Sequence, residues 1–465
     1  MRKIFILMLL FFLLQLFFIF YFKFLLWDEA VYMCNARSYL GYGNYVEEFR
    51  FPLLSRVLAL VFSITGESLI LARVFVLIFS FLSLLFLYKI SKKITKDKKI
   101  ITISLLSLIT FFPFFFYSTK VYTDVPAMCF SIISFYFFIE FIESKTKKSK
   151  TIFISLVSLF SILAFLTRFS TAIFMISYLI FLISKKQYKN FLKLMIFNFL
   201  FYLPWAIYSW LSFGNPIYHL VAQYNIIKQW TELQPFYLHG FYLLIYAPYI
   251  LFIPFMLYKE KKKKQKKQEK RNKDILYLII LSIVLNFVYF TFFVNLKDPR
   301  YLIQYFFLFS SLICFCDFNF KVNFIKTKRK ISFISIFVII LILAYLFLSI
   351  YLTIKYVEYA NEDPVLDSIN YVKDYIKQNK SNNVTIISNL WVYYAYYLNT
   401  KAYSFWSDDL DYLIKLHKPE IIIYSNYGQH YEKEILEKNK NIQKIKEFKK
   451  GNREIILYVV KAIPT

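Results

Sequence analysis

The chain is a succession of apolar runs, each near the length of a bilayer span, separated by short charged connections. Eleven runs can be read, at roughly 4–26, 68–88, 100–116, 125–142, 152–166, 170–183, 191–210, 240–258, 275–294, 301–317 and 332–355. A helix needs about 20 residues to cross a hydrocarbon core of about 30 Å. Inside that core no water is available for backbone amides, so an apolar run of this length closes its hydrogen bonds within itself as a helix. Composition agrees: of 465 residues 58% are hydrophobic, with 56 Phe and 40 Tyr against 7 Gly. The expected fold class is a polytopic α-helical membrane protein. The first run is too long for a signal peptide and lacks a small-residue cleavage site, so it is read as a retained span.

A net charge of +28 raises the question of a nucleic-acid partner. The basic residues are not spread over one surface, however; they fall in clusters between the apolar runs. The even connections, Lys89–Lys99, Lys145–Lys150, Lys185–Lys193, Lys259–Lys273 and Lys321–Lys330, are the basic ones. Such clusters set topology and lie on the cytoplasmic side. The expectation is therefore a multi-pass protein of the cell membrane, N-terminus cytoplasmic, with membrane lipid as a partner and no nucleic acid. The odd connections then face outward. They carry Asp28, Glu29, Arg50 and Arg56; Lys120 and Asp124; Arg168; Glu232 and His239; and Lys297, Asp298 and Arg300.

After Leu352 the composition turns polar. Helical spacing of Val365, Ile369, Val372 and Ile376 alternates with strand-like stretches at 384–388, 402–405 and 420–425 and a hairpin around Gly451. This predicts a transmembrane domain over 1–355 and a small extracytoplasmic α/β domain over 356–465. The latter has no phosphate-binding glycine loop and no nucleophile elbow, so catalysis is not expected there. Cys34, Cys129, Cys314 and Cys316 show no metal or disulfide spacing and are read as structural.

Ionisable groups at a span mouth are costly unless they line a wet cavity, so they mark candidate sites. Asp28 and Glu29 end the first run; the alternative is an ordinary interfacial loop. Asp124 opens a span in Thr123-Asp124-Val125-Pro126, where a helix cap is the plain alternative. Arg168 sits at a hairpin tip and can equally snorkel to headgroups. Lys297-Asp298-Pro299-Arg300-Tyr301 is a tight turn by its Asp-Pro pair. Together they form a set of carboxylates and cations on one side. A carboxylate can serve as general base on a hydroxyl. Arg, Lys and Tyr can hold a phosphate and stabilise it as a leaving group.

With these residues in view, the membrane portion resembles the integral-membrane glycosyltransferases of the GT-C fold, of the protein O-mannosyltransferase and aminoarabinose-transferase type (glycosyltransferase family 39-like). The resemblance rests on Asp28-Glu29, on Gly66 to Arg73 entering the second span, and on Thr123 to Pro126. It also rests on Phe213-Gly214-Asn215-Pro216 and on Lys297-x-x-Arg300-Tyr301. It implies a polyprenyl-phosphate sugar donor and a lipid, glycan or protein acceptor. It implies Asp28 as base, with Glu29 or Asp124 orienting the acceptor. It implies a phosphate site from Lys297, Arg300 and Tyr301, with Arg168, Lys120 and Arg50 or Arg56. In that family a Lys beside Pro in the first outer loop commonly meets the phosphate; here Phe51 precedes Pro52, and Arg50 stands one residue further back. No cofactor is certain, and a divalent metal stays open. A transporter or lipid flippase of a glycan-export system is the rival from another class. It would want charged or broken helices at the bilayer midplane, often in repeated halves.

Overall fold

The computed structural model describes residues 2–230, 234–253, 266–316, 333–378, 384–405, 409–427 and 431–461. The first helices in chain order are α1 (Arg2–Tyr21), α2 (Trp27–Tyr39), α3 (Leu53–Thr65), α4 (Leu69–Ile94), α5 (Lys98–Ile109), α6 (Phe112–Tyr117), α7 (Asp124–Glu143), α8 (Lys147–Thr167), α9 (Ala172–Ser184), α10 (Tyr188–Phe213), α11 (Tyr218–Trp230) and α12 (Tyr237–Tyr246). Longer helices follow at Lys266–Val288 and Phe333–Asn361, with the shorter Ile303–Leu312 between them. Among the described residues, seven helical stretches are long and apolar enough to cross a membrane: Lys3–Tyr21, Leu69–Ile94, Asp124–Glu143, Lys147–Thr167, Tyr188–Phe213, Asn272–Phe293 and Phe337–Gln378. This is a multi-pass membrane protein.

The other four apolar runs are helical but short or broken. The run 100–116 breaks between α5 and α6, where Pro113 occupies the first turn of α6. The run 301–317 is a 3-10 turn, the helix Ile303–Leu312 and a second 3-10 turn. Over its described residues, 240–253, the run 240–258 is α12 followed by the 3-10 turn Pro248–Phe252, and 170–183 joins a 3-10 turn to α9. Backbone freed at such breaks must find partners. Beside the α5–α6 break, the Ser107 and Thr110 carbonyls accept from the Tyr249 and Ser349 hydroxyls, at 2.8 and 3.0 Å. Ser104 and Ser107 reach the Ser310 carbonyl and hydroxyl, at 2.7 and 2.8 Å. Small polar residues thus tie α5 to the helix Ile303–Leu312. The basic connection 321–330 and residues 259–265 of the connection 259–273 lie outside the described residues.

By packing, the chain divides into two compact units. One comprises 1–19, 49–54 and 71–353; the other comprises 20–48, 55–70 and 354–465. The first is the helical bundle of most of α1 with α4 and the helices that follow it up to residue 353. Its α10 ends at Gly214 in the left-handed region (φ +68°), where the amide of Gly214 closes on the Trp210 carbonyl and no Cβ has to be accommodated.

The second unit gathers the first connection and the tail. The tail folds as expected: a helix Pro364–Gln378, then β1 (Thr385–Ser388), the helix Trp391–Leu398, β2 (Lys401–Tyr403), the helix Leu410–His417, β3 (Ile421–Ser425), the helix Lys433–Lys438, β4 (Ile442–Lys450) and β5 (Arg453–Val460). The sheet order is β2-β1-β3-β5-β4, with β1 parallel to β2 and β3, and β5 antiparallel to β3 and β4. Ile387, Leu413, Ile422 and Ile456 centre its core. Where the last long helix meets this domain, Asn361 accepts from the Lys23 amide and donates to the Tyr21 carbonyl, each at 3.3 Å. The four cysteines are free and buried.

Candidate active site

In the second unit, the chain leaves α1 in extended form at Leu26 and starts α2 at Trp27. Asp28 and Glu29 therefore stand in a first helical turn, where the unpaired amides and the helix dipole favour negative charge. Their roles separate. The Glu29 carboxylate folds back to accept from the Leu26 amide at 3.0 Å, and the residue is fully buried. That leaves Glu29 as the cap of α2. Asp28 keeps 9% of its surface accessible. Of the adjacent carboxylates, Asp28 is the less completely buried.

The rest of α2 is fixed firmly. Asn35 donates to the Glu47 carbonyl at 3.1 Å and accepts from the Glu47 amide at 2.8 Å. Arg37 forms a two-pronged pair with Glu67, both contacts 2.7 Å, donates to the Tyr396 carbonyl and lies 4.3 Å from the Tyr396 ring centre. Arg56, on α3, stacks on Tyr39 at 4.8 Å. Trp27 meets Trp391 and Tyr393 edge to face, at 4.8 and 5.5 Å.

In the first unit, three turns bring a second group together. Asp124 is the first residue of α7 and fully buried; Thr123 occupies the cap position without a side-chain cap bond. The Asp124 carboxylate meets Arg168 Nη1 at 3.1 Å instead, and the same nitrogen donates to Thr123 Oγ1 at 3.2 Å. Arg168 therefore turns inward to a buried carboxylate. Its guanidinium lies 5.0 Å from the Tyr301 ring centre; that of Arg300 lies 5.7 Å from the same ring and 5.4 Å from Tyr122. Asp298 caps the following 3-10 turn through the Arg300 amide (2.8 Å) and pairs with the Arg300 side chain at 3.1 Å.

Two guanidiniums on one tyrosine ring, each holding a carboxylate, make a strongly polar patch. A guanidinium presents five donors in a flat fork, which suits a second oxyanion beside a carboxylate. The Arg168 and Arg300 side chains keep 18% and 17% of their surface exposed.

The remaining cations are placed differently. The Lys297 ammonium donates to the carbonyls of Phe290 (3.0 Å), Thr291 (2.7 Å) and Val294, closing the π-helical turn Tyr289–Phe293 that ends the preceding span. An ammonium has three donors, and three backbone carbonyls take them. Lys120 is buried, 5.1 Å from the Phe116 ring. Arg50 lies beside Phe49 at 5.4 Å. Among the described residues, no group of three or more His, Cys, Asp or Glu side chains is placed to hold a metal ion.

The chain superposes on ArnT from Cupriavidus metallidurans bound to undecaprenyl phosphate with a TM-score of 0.69, covering 98% of this chain and 97% of that one at 9% identity. The apo state of the same ArnT gives 0.65, covering 92% and 93% at 11% identity. This is the GT-C fold. The oligosaccharyltransferase of Archaeoglobus fulgidus, in complex with Zn and sulfate, matches it at 0.51 and 13% identity, over 86% of this chain and 63% of that one. Within the GT-C fold, residues 50–213 match the family model of the dolichyl-phosphate-mannose-protein mannosyltransferases. A search of curated protein sequences found no match.

The structure also adds residues that the sequence did not single out. Tyr122 precedes Asp124 by two positions and reads in sequence as one aromatic among many. Trp391 and Tyr393 lie in a tail from which no chemistry was expected. Their only sequence signal is the aromatic density of Trp391 to Tyr397 in an otherwise polar domain.

Proposed function

We propose that this protein transfers a sugar from a polyprenyl-phosphate donor to an acceptor hydroxyl on the extracytoplasmic face, with inversion at the anomeric carbon. The observation that carries the reading is the pair Arg168 and Arg300 on Tyr301, beside the buried Asp124, in a chain with the fold of an ArnT that binds undecaprenyl phosphate. In this reading the two guanidiniums hold the donor phosphate and stabilise it as it leaves. Asp28 removes the acceptor proton while the hydroxyl oxygen attacks the anomeric carbon and the bond to the phosphate breaks. Asp124 holds Arg168 in place, Glu29 shapes the turn that presents Asp28, and Lys297 supports the backbone leading to Arg300. Arg50, Arg56 and Lys120 are proposed as outlying donor contacts.

The test is to incubate purified protein with polyprenyl-phosphate sugars and follow release of the lipid phosphate. Release that depends on Arg300 and Asp28 is expected. Movement of the lipid across a vesicle bilayer with no sugar transfer would replace this reading with that of a flippase.

A further inference from the structure

We propose that Trp27 and Trp391 form a platform for a sugar ring, so that the acceptor is a glycan. This rests on the transferase reading and names its acceptor class. Both indoles are half-buried rather than sealed in a core, and they meet edge to face at 4.8 Å. Tyr393 adds a third ring at 5.5 Å from Trp27, and Phe24 packs behind Tyr393 at 5.2 Å.

The orientation of Trp391 is set by a chain of hydrogen bonds. Its Nε1 donates to Tyr45 Oη at 2.9 Å, and the Tyr45 hydroxyl donates to Glu47 Oε1 at 2.7 Å. The Glu47 backbone is in turn clamped to Asn35 of α2. A tryptophan that serves only as a membrane-interface anchor needs no such fixing; there the ring floats at headgroup level. Here the indole sits on a helix of the α/β domain and is oriented in advance, which lowers the ordering cost of binding.

The polar surroundings select the ligand. Asp28 follows Trp27 directly, and the Tyr393 hydroxyl lies within the electrostatic reach of both Asp28 and Glu29. Tyr356 and Tyr397 are the nearer ionisable neighbours of Tyr393, and Glu47 joins the group as a third carboxylate through Tyr45. Arg37, further along α2, is paired with Glu67. Acidic surroundings disfavour an anionic acceptor. An acyl chain would want a dry apolar groove rather than rings interleaved with carboxylates. A pyranose ring offers an apolar C–H face to an aromatic ring and hydroxyls to carboxylates and phenols. It therefore uses both halves of what this group presents. The sugar hydroxyl nearest Asp28 is then the one deprotonated.

The test separates binding from transfer. Detergent-purified protein is titrated with neutral oligosaccharides (chitotetraose, cellotetraose and a mannotetraose), and contacts are read by saturation-transfer NMR. At least one is expected to bind the wild type, with affinity reduced about tenfold in Trp391→Ala, less in Trp391→Phe and Tyr45→Phe, at unchanged thermal stability. Trp27→Phe serves where Trp27→Ala fails to fold. No binding by any of the three, or binding that ignores both tryptophans, overturns the platform. Donor-lipid assays run in parallel keep the two readings apart. Sugar binding that depends on the tryptophans, without release of lipid phosphate from any donor, leaves the platform standing and removes the transferase. Release without sugar binding does the reverse.

Discussion

Arg168 shows most clearly what a single residue does here. It neutralises Asp124, a carboxylate with no solvent exposure. Breaking a buried ion pair by removing one partner costs about 3–5 kcal/mol. Arg168→Ala is therefore expected to lower thermal stability markedly, while Arg168→Ala combined with Asp124→Asn recovers much of it. Equal melting of the single and double variants would remove the pair from the stability account. Arg300 is held by an exchangeable partner on a surface turn, so Arg300→Ala should leave the fold intact and weaken donor use about 10- to 100-fold. At the other carboxylate pair, Asp28→Asn should insert normally, bind donor and lose about 10²–10⁴ in rate. Near-normal turnover in Asp28→Asn alongside a dead Asp124→Asn would move the base to Asp124. In sequence, Asp28 and Glu29 were given different roles only by the family resemblance. What separates them is the backward reach of Glu29 to the Leu26 amide, which depends on the extended backbone before α2.

Among elements, the turn from 289 to 302 is the most informative. The preceding span ends in a π-helical turn, which leaves carbonyls without partners, and Lys297 collects three of them. A structural role predicts that Lys297→Met destabilises the turn and disturbs Arg300 with it. Donor affinity and thermal stability should then fall together. Loss of donor affinity at full stability would show instead that the ammonium contacts the phosphate. This turn also marks the limit of what the sequence reveals. Asp298-Pro299 announced a turn, and the cap on the Arg300 amide is there. The π turn left no mark in the pattern of apolar residues, because changing the hydrogen-bond register by one residue leaves composition untouched. The tail was legible almost element by element, since short strands and helices with alternating or helical spacing carry their own boundaries. The short helices α6 and α12 were less so, because an apolar run reads alike whether or not it is broken.

At the scale of the molecule, the apolar runs specified a membrane bundle, and their helices are present. Which loops face which side is a proposal from charge. A cysteine placed near Lys264 should be inaccessible to a membrane-impermeant reagent added to intact cells, while one beyond residue 400 should react. The opposite labelling pattern would invert the whole topology. What no local reading of sequence contained is the composition of the second unit. Residues 20–48 and 55–70 pack with 354–465, although more than half of the chain runs between them. Only contacts distant in sequence carry that information, and a single sequence does not display them.

That long-range pairing bears on how the protein is made. The helix carrying Asp28 has its packing partners in Trp391, Tyr393 and Tyr396 and its entry point tied by Asn361. All four are synthesised after the last apolar run has begun to emerge. Until then the first connection waits without these partners. The nascent protein thus passes through most of its synthesis with this unit incomplete, and the order of translation itself keeps the surroundings of Asp28 unassembled until the final domain has arrived.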